Sequence, residues 1–192
     1  MPELPEVETV CLALSKILNN SRVSDIEIFR KDLRWDVKEN LEKDLKEKIL
    51  KKPYRRGKYI LIPTSKKHIL LIHLGMSGTI KIISEEYNVS KHDHVKINIE
   101  TKENKFFSIV YNDPRRFGYI DFFHVSKIKN HFLLKKLGVE PFEKDFTIEY
   151  LQEKMYNKSK CVKNFLMDQS IIAGIGNIYA SEILYRANIN PL

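Results

Sequence analysis

Six short apolar runs between residues 59 and 123 constrain the fold of this sequence more than any other feature. Each run is rich in β-branched and aromatic residues, which favour strands, and turn-forming residues separate several of them. The runs are YILIP (59–63), HILLIHL (68–74), GTIKII (78–83), HVKINI (94–99), FFSIVY (106–111) and GYIDFF (118–123). Because they follow one another closely, the sequence predicts an antiparallel sandwich or barrel rather than alternating βαβ units.

Helical patterns flank this strand-rich region. Before it, apolar residues at helical spacing predict a helix that ends near Leu18, with Pro5 in its first turn. After about Asn130, the segment HFLLKKLG (131–138) is predicted to be a short helix that ends at its glycine.

Three more helical segments follow. Thr147 can cap the first, IEYLQEKMYN, whose apolar face carries Ile148, Leu151 and Met155. The other two are KCVKNFLMDQ and NIYASEILYRAN, separated by IIAGIG. The predicted fold class is therefore α+β, with a catalytic β-sandwich domain over residues 1–130, including the N-terminal helix, and a helical domain over 131–192.

The N-terminus, MPELPEVETV, has three carboxylates and two prolines within its first eight residues. Methionine before proline is commonly removed, which would leave Pro2 as a free secondary amine. An α-amino group has a pKa of about 8, so part of it is neutral and nucleophilic near neutral pH and can form an iminium ion with an aldehyde or hemiacetal carbon. Glu3 can then shuttle protons, and Glu6 can hold the ammonium in place. The alternative is that these acids merely suit the positive end of a helix.

A basic run, KKPYRRGKYILI, leads into the first of the six strands. Its cations are Lys51, Lys52, Arg55, Arg56 and Lys58. Such a run can form an edge that contacts phosphates. Alternatively, it is a solvated edge strand that charge protects from aggregation.

Two loops carry side chains suited to a nucleic-acid stack. HLGMSG places His73 and Met76 at a tight glycine turn, and DPRRFG places Arg115 and Phe117 on another turn. An arginine and an aromatic ring exposed together can enter a base stack, the arginine pairing while the ring acts as a wedge. Taken singly, His73 can be a satisfied core residue and Met76 a core filler.

Two glycines, Gly174 and Gly176, directly precede a helical segment that begins at Asn177. Backbone N–H groups at such a helix start, with the asparagine side chain, can bind an anion. A glycine-rich turn between two helices does not by itself require a ligand.

Charge and cysteine usage narrow the function classes. The chain has 33 Lys and Arg against 25 Asp and Glu, a net charge of +8 that favours a polyanionic partner over a neutral one. That partner can be nucleic acid or an anionic membrane surface, although the surplus can also be only a soluble basic surface. No apolar stretch is long enough for a membrane span, and the acidic start is no signal peptide. With only Cys11 and Cys161, neither a disulfide framework nor a four-cysteine zinc site can form, which predicts a cytoplasmic protein.

Six sequence blocks together resemble the bacterial formamidopyrimidine-DNA glycosylases, and the resemblance covers essentially the whole chain. The blocks, in the order found in that family, are PELPEVET, RRGKY, HLGMSG, KHDH, DPRRFG and DQ…AGIGNIYASE. The related endonuclease VIII branch typically opens with PEGPE and lacks the pairing of HLGMSG with DPRRFG. The chain therefore resembles the formamidopyrimidine branch.

This resemblance implies a bifunctional repair enzyme that flips oxidised purines, such as 8-oxoguanine and formamidopyrimidines, out of double-stranded DNA. Pro2 would form a Schiff base with the damaged nucleotide, expel its base and cleave the abasic site by β,δ-elimination. Glu3 matches the family's proton donor and Glu6 a supporting residue. Lys58 matches a residue that contacts phosphate and donates a proton in β-elimination.

The resemblance also implies which residues bind DNA. Those that match the family's DNA-binding positions are His73, His92, Arg115, Lys163 and Asn177. Met76, Arg115 and Phe117 match the trio that intercalates where the extruded base had been. The segment from Cys161 to about Ala187 matches the helix–two-turn–helix, and a nucleoid-associated monomer is expected.

Relatives normally continue with a lesion-capping loop and a four-cysteine zinc finger that this sequence lacks. The resemblance therefore implies no metal or cofactor in this chain, and zinc only in the absent finger. We expect weak DNA binding and a greater loss of 8-oxoguanine removal than of abasic-site nicking. One alternative is a fragment that binds damaged DNA without catalysis. Another is a small-molecule enzyme with a proline nucleophile, which leaves the basic run and the DPRRFG loop unexplained.

Overall fold

The computed structural model describes residues 1–191 and divides into two compact units. The first comprises Met1–Arg55 and Tyr59–Lys127, and the second comprises Arg56–Lys58 and the chain from Ile128 onward. No helix within residues 1–191 has the length and apolar character needed to cross a membrane.

Helix α1 (Leu4–Leu18) opens the first unit, with the predicted end at Leu18 and Pro5 in its first turn. Its buried side chains recur every three or four residues and form one face of the helix. They are Leu4, Val7, Cys11, Leu14 and Leu18, and all but Leu4 belong to the main hydrophobic core. Burial of this face fixes where the N-terminus of the chain lies.

The six predicted runs all form strands, and three strands that the sequence did not reveal join them. The strands are β1 (Ser21–Ile28), β2 (Ile49–Leu50), β3 (Tyr54–Arg56), β4 (Tyr59–Pro63), β5 (His68–His73), β6 (Thr79–Ile83), β7 (Asp93–Glu100), β8 (Phe106–Asn112) and β9 (Tyr119–His124). One sheet has the order β2-β1-β7-β8-β6 and the other β3-β4-β5-β9. Apolar side chains from both sheets and from α1 form one core. The predicted antiparallel sandwich with a flanking helix is confirmed.

Strand β1 was missed because its apolar pattern is irregular. Only Val23, Ile26 and Ile28 are apolar in SRVSDIEI, and the register of β1 against β7 shifts between Val23 and Asp25. This bulge breaks the alternation that marks a half-buried strand. The short helix α2 (Leu41–Leu45) was missed as well, since five residues are too few to show a helical period.

The second unit holds helices α3 (Ile148–Met155), α4 (Val162–Leu166) and α5 (Asn177–Arg186). The predicted cap on α3 is confirmed, because the Thr147 hydroxyl oxygen accepts a 3.1 Å hydrogen bond from the backbone N–H of Tyr150. The predicted apolar face is only partly correct. Leu151 packs on the core of this unit together with Tyr150, whereas Ile148 and Met155 are exposed.

The predicted helix over HFLLKKLG is wrong, because this segment forms hydrogen-bonded turns. The carbonyl of His131 accepts 2.9 Å hydrogen bonds from the N–H groups of both Leu134 and Lys135, which completes a single turn. The chain then pairs with a distant segment: the Gly138 N–H donates to the Gln169 carbonyl at 2.9 Å. Long-range pairing has replaced helix continuation.

Candidate active site and nucleic-acid interface

The N-terminal acids serve as a helix cap. Glu3 is the N-cap of α1 and is almost fully buried. Its backbone N–H donates to Glu6 Oε2 at 2.8 Å, and its carboxylate in turn accepts from the first turn of the helix. Pro2 is therefore held directly before a rigid helix, next to a buried carboxylate. Glu8 lies apart from this arrangement, because its carboxylate pairs with Arg55 at 2.8 Å.

A groove of about 780 Å³ lies in the first unit and brings several predicted site residues together. Its lining consists of Met1, Asp32, Leu33, Arg34, His73, Gly75, Met76, Arg115, Arg116 and Phe117. The predicted intercalating trio therefore shares one groove with the first residue of the chain.

The trio itself forms a wedge of exposed side chains. The Arg115 guanidinium carbon lies 4.9 Å from the centre of the Phe117 ring, a cation–π contact that holds the two side chains together. Met76 and Phe117 are 43% and 41% exposed, so neither side chain lies in the core. Met76 is thus not a core filler, and these side chains are available to another molecule.

Asp113 organises the loop that carries Arg115 and Phe117. Its buried carboxylate accepts hydrogen bonds from the Ser77 hydroxyl at 2.6 Å and from the Gly118 N–H at 2.8 Å. Asp113 thereby ties the HLGMSG loop to both ends of the DPRRFG loop. This role of Asp113 was not predicted, although its position directly before Pro114 at the start of the turn is a sequence signal for it.

Close backbone approach explains two glycines of these loops. A Cβ on Gly75 would lie 2.5 Å from the carbonyl carbon of Phe117, and Gly75 also has φ +63°. A Cβ on Gly118 would lie 1.6 Å from the Tyr111 hydroxyl oxygen. The two loops therefore pack backbone against backbone, and larger residues would push the wedge out of place.

The two histidines assigned to DNA binding lie beside the same loops. His73 ends β5, with its ring centre 4.8 Å from that of Tyr59, and it also lines the groove. His92 precedes β7, and its carbonyl accepts a 3.0 Å hydrogen bond from the Asp113 N–H. His73 is thus only half-buried rather than a core histidine.

The basic run is more heavily paired than a solvated edge would be. Arg55 is largely buried against Glu8 in the first unit. Within the second unit, Arg56 pairs with the buried carboxylate of Glu140 at 2.6 Å and donates to the Leu137 carbonyl at 2.9 Å. Lys58 is 8% exposed. Neither interpretation of the run as a free cationic edge holds for its two arginines.

Gln169 shapes the glycine turn before α5. Its side-chain oxygen accepts from the Gly174 N–H at 2.9 Å, and its amide nitrogen donates to the Ile175 carbonyl at 2.6 Å. Asn177 is exposed as the first residue of α5, whereas Lys163 is half-buried on α4. Lys58, Lys163 and Asn177 all lie in the second unit.

The described residues do not fit a metal centre. Across residues 1–191, no three His, Cys, Asp or Glu side chains are grouped so that they could hold an ion. Cys11 is buried in the core of the first unit, and Cys161 is the residue before α4. The zinc that the resemblance associates with a four-cysteine finger has no ligand set here.

Two parts of the chain match domains of one family of DNA glycosylases, and the second of these domains is the helix–two-turn–helix. The family model described as the formamidopyrimidine-DNA glycosylase N-terminal domain matches residues 1–120, and that of the H2TH domain matches residues 137–192. The chain belongs to the formamidopyrimidine-DNA glycosylase family.

The chain is similar to sequenced relatives and to solved structures over all or nearly all of its length. It is 41% identical to formamidopyrimidine-DNA glycosylase of Bartonella quintana and 44% identical to that of Ruthia magnifica, covering all of this chain and 68% of each relative. The Lactococcus lactis enzyme, solved non-covalently bound to DNA with an abasic site, is similar with a TM-score of 0.89 and 33% identity. That match covers 98% of this chain and 71% of the solved one. The same enzyme in complex with a DNA that contains N7-benzyl-Fapy-dG gives a TM-score of 0.90.

Proposed function

We propose that this protein removes oxidised purines, including 8-oxoguanine and formamidopyrimidines, from double-stranded DNA and cleaves the resulting abasic site. One observation carries the proposal: Met1 lines the same groove as Met76, Arg115 and Phe117. Removal of Met1 would expose the amine of Pro2 at the place where the wedge enters a duplex. A nucleophile and the device that opens the base stack would then act on one nucleotide.

The chemistry uses groups of the chain itself. The neutral secondary amine of Pro2 attacks C1′ of the damaged nucleotide, and the N-glycosidic bond breaks as the base leaves with its electron pair and gains a proton. The C1′–O4′ bond of the sugar then breaks, its oxygen gains a proton, and an iminium ion forms between Pro2 and C1′. Loss of a C2′ proton from this iminium ion expels the 3′ phosphate, and a second elimination expels the 5′ phosphate. Glu3, next to the amine, transfers protons, and Lys58 assists the first elimination. This sequence requires no cofactor.

DNA binding is assigned to exposed and half-buried groups of both units. His73 and His92 lie beside the wedge, while Lys163 and Asn177 lie on α4 and at the start of α5. We assign them to phosphates that flank the extruded nucleotide. The net charge of +8 supports a polyanionic partner, and the relatives solved with abasic or damaged DNA support its identity. We further propose a monomer that acts in the cytoplasm on nucleoid DNA.

Borohydride trapping on duplex DNA with one abasic site tests the proposal. Borohydride reduces an iminium ion to a stable amine, so catalysis should yield a covalent complex attached at Pro2, located by mass spectrometry. Pro2→Gly should weaken or shift trapping, whereas Glu8→Gln, away from the cap, should leave it intact. Intact mass establishes that Met1 is removed.

The absence of a complex would contradict the proposal if Pro2 is free and the DNA is bound. The chain would then be a module that binds damaged DNA without catalysis. Parallel assays with 8-oxoguanine and with a pre-formed abasic site separate base removal from strand cleavage.

A further inference from the structure

One wall of the groove was not singled out in the sequence. It is formed by Asp32, Leu33 and Arg34, in the loop between β1 and α2. Leu33 is buried in the main core, which anchors the loop from below. The N–H groups of Phe29 and Arg30 both donate to the His94 carbonyl, at 2.9 and 3.3 Å, which anchors its start. This wall is thus fixed to the sandwich.

Asp32 connects the fixed wall to the wedge loop. Arg30 donates to its two carboxylate oxygens at 2.5 and 3.1 Å, a bidentate contact within the loop. Arg116, from the DPRRFG loop, donates to Oδ2 of the same carboxylate. One carboxylate therefore binds two guanidinium groups. One of them, that of Arg116, lies 84 residues from Asp32 along the chain.

Arg116 adopts a strained backbone conformation within the loop that carries the wedge. It lies between Arg115 and Phe117, and its φ of +59° is in the left-handed region, which is unfavourable for a residue with a side chain. Such a conformation persists only where surrounding contacts hold it. The Arg116 N–H donates to the Asp113 carbonyl at 3.2 Å from one side, and its guanidinium is held by Asp32 from the other.

We propose that Asp32 is a positioning residue that holds the Arg115–Phe117 wedge in place through Arg116. Only the part of this inference that concerns DNA rests on the proposed function. Each ion pair is exposed and contributes little to overall stability. Its effect is instead local, because it selects one conformation of a strained turn. Asp32 would therefore set how well the wedge fills the gap in a duplex.

The test compares Asp32→Asn with Asp36→Asn. Both substitutions remove one exposed carboxylate from the same loop. Asp32 makes two ion pairs, whereas Asp36 makes none among the described residues. Amide hydrogen exchange, measured without DNA, should be about 3-fold faster at Arg116 and Gly118 in Asp32→Asn, the size expected for loss of the exposed ion pair with Arg116. Asp36→Asn should match the unaltered protein, Asp32→Glu should restore slow exchange in part, and the urea midpoint should hardly move.

A duplex with 2-aminopurine opposite an abasic site provides the DNA arm. Its fluorescence reports base unstacking as the wedge enters, and the response should fall by about 3-fold in Asp32→Asn and in Arg116→Leu, with no further loss in the double variant. Exchange or fluorescence equal in Asp32→Asn and Asp36→Asn would overturn the proposal. If the unaltered protein shows neither fluorescence response nor trapping, the proposed function fails, and the exchange arm still decides whether Asp32 holds the turn.

Discussion

The buried carboxylate of Asp113 accepts a 2.8 Å hydrogen bond from the backbone N–H of Gly118, five residues further along the chain. This contact closes the loop that presents Arg115 and Phe117 to the groove. The loop is held by buried polar contacts rather than by regular secondary structure, so its shape depends on a few specific groups.

Asp113→Ala should lower the free energy of unfolding by about 2 kcal/mol, because it leaves the Gly118 N–H and the Ser77 hydroxyl without their acceptor. Urea unfolding followed by circular dichroism measures this loss. Asp36→Ala, at an exposed position of the same unit, should change the midpoint little. Equal effects of the two substitutions would show that the buried carboxylate does not hold the loop.

Gly118→Ala should be strongly destabilising, since the new Cβ would overlap the Tyr111 hydroxyl oxygen at 1.6 Å. The Tyr111→Phe background removes that oxygen but leaves the ring carbon that carries it, 2.8 Å from the same Cβ. The double variant should therefore recover part of the thermal stability lost by Gly118→Ala. No recovery would indicate that the backbone contacts, and not the hydroxyl, set the limit.

Asp93 should make stability depend on pH in the acidic range. Burial by itself would raise the pKa of Asp93, but hydrogen bonds from Ser90, Asn112 and Tyr87 bring it well below its usual value. The unfolded chain binds the proton first, near pH 4, so the stabilisation is complete above that pH and is lost as the pH falls. Asp93→Asn should be less stable at pH 7 and should lose less stability between pH 5 and 3.

Urea midpoints across that range measure the effect of Asp93. Asp36→Asn serves as the reference, because its carboxyl is exposed. If Asp93→Asn and the unaltered protein lose stability in parallel as the pH falls, another carboxyl is responsible.

Cys11 should resist alkylation in the folded protein. Burial, with a smaller contribution from Glu8, raises the pKa of its thiol to about 12, so almost no thiolate is present at pH 8. Cys161 is half-buried at the start of α4 and should react first with iodoacetamide. Peptide mass spectrometry after brief labelling identifies the modified thiol. Early modification of Cys11 would mean that α1 leaves the core readily.

The fold was predictable where local pattern and tertiary structure agree. The period of α1 reports burial on one face of the helix, and the six apolar runs report strands that contribute to the core of the sandwich. The helix predicted over residues 131–138 is wrong because a backbone pairing between Gly138 and Gln169 overrides the local pattern. Strand β1 was not predicted because its bulge hides the alternation of apolar and polar residues.

The candidate site was predictable only in part. Short motifs carry Met76, Arg115 and Phe117, and their shared groove agrees with the resemblance. Asp32 could not have been found, since nothing local to RKDLRW indicates a contact with Arg116, 84 residues away. Residues that hold a site through long-range contacts leave little trace in a single sequence.

The position of Met1 in the groove has a practical consequence for anyone who prepares this protein. An affinity tag or fusion partner joined ahead of Met1 would begin its path inside the groove and would convert the terminal amine into an ordinary amide. Such a preparation would fold, since the cap of α1 begins at Glu3, and under the proposed function it would form no iminium ion. The proposed function also implies that expression hosts that remove Met1 incompletely would yield a mixture whose active fraction equals the trimmed fraction.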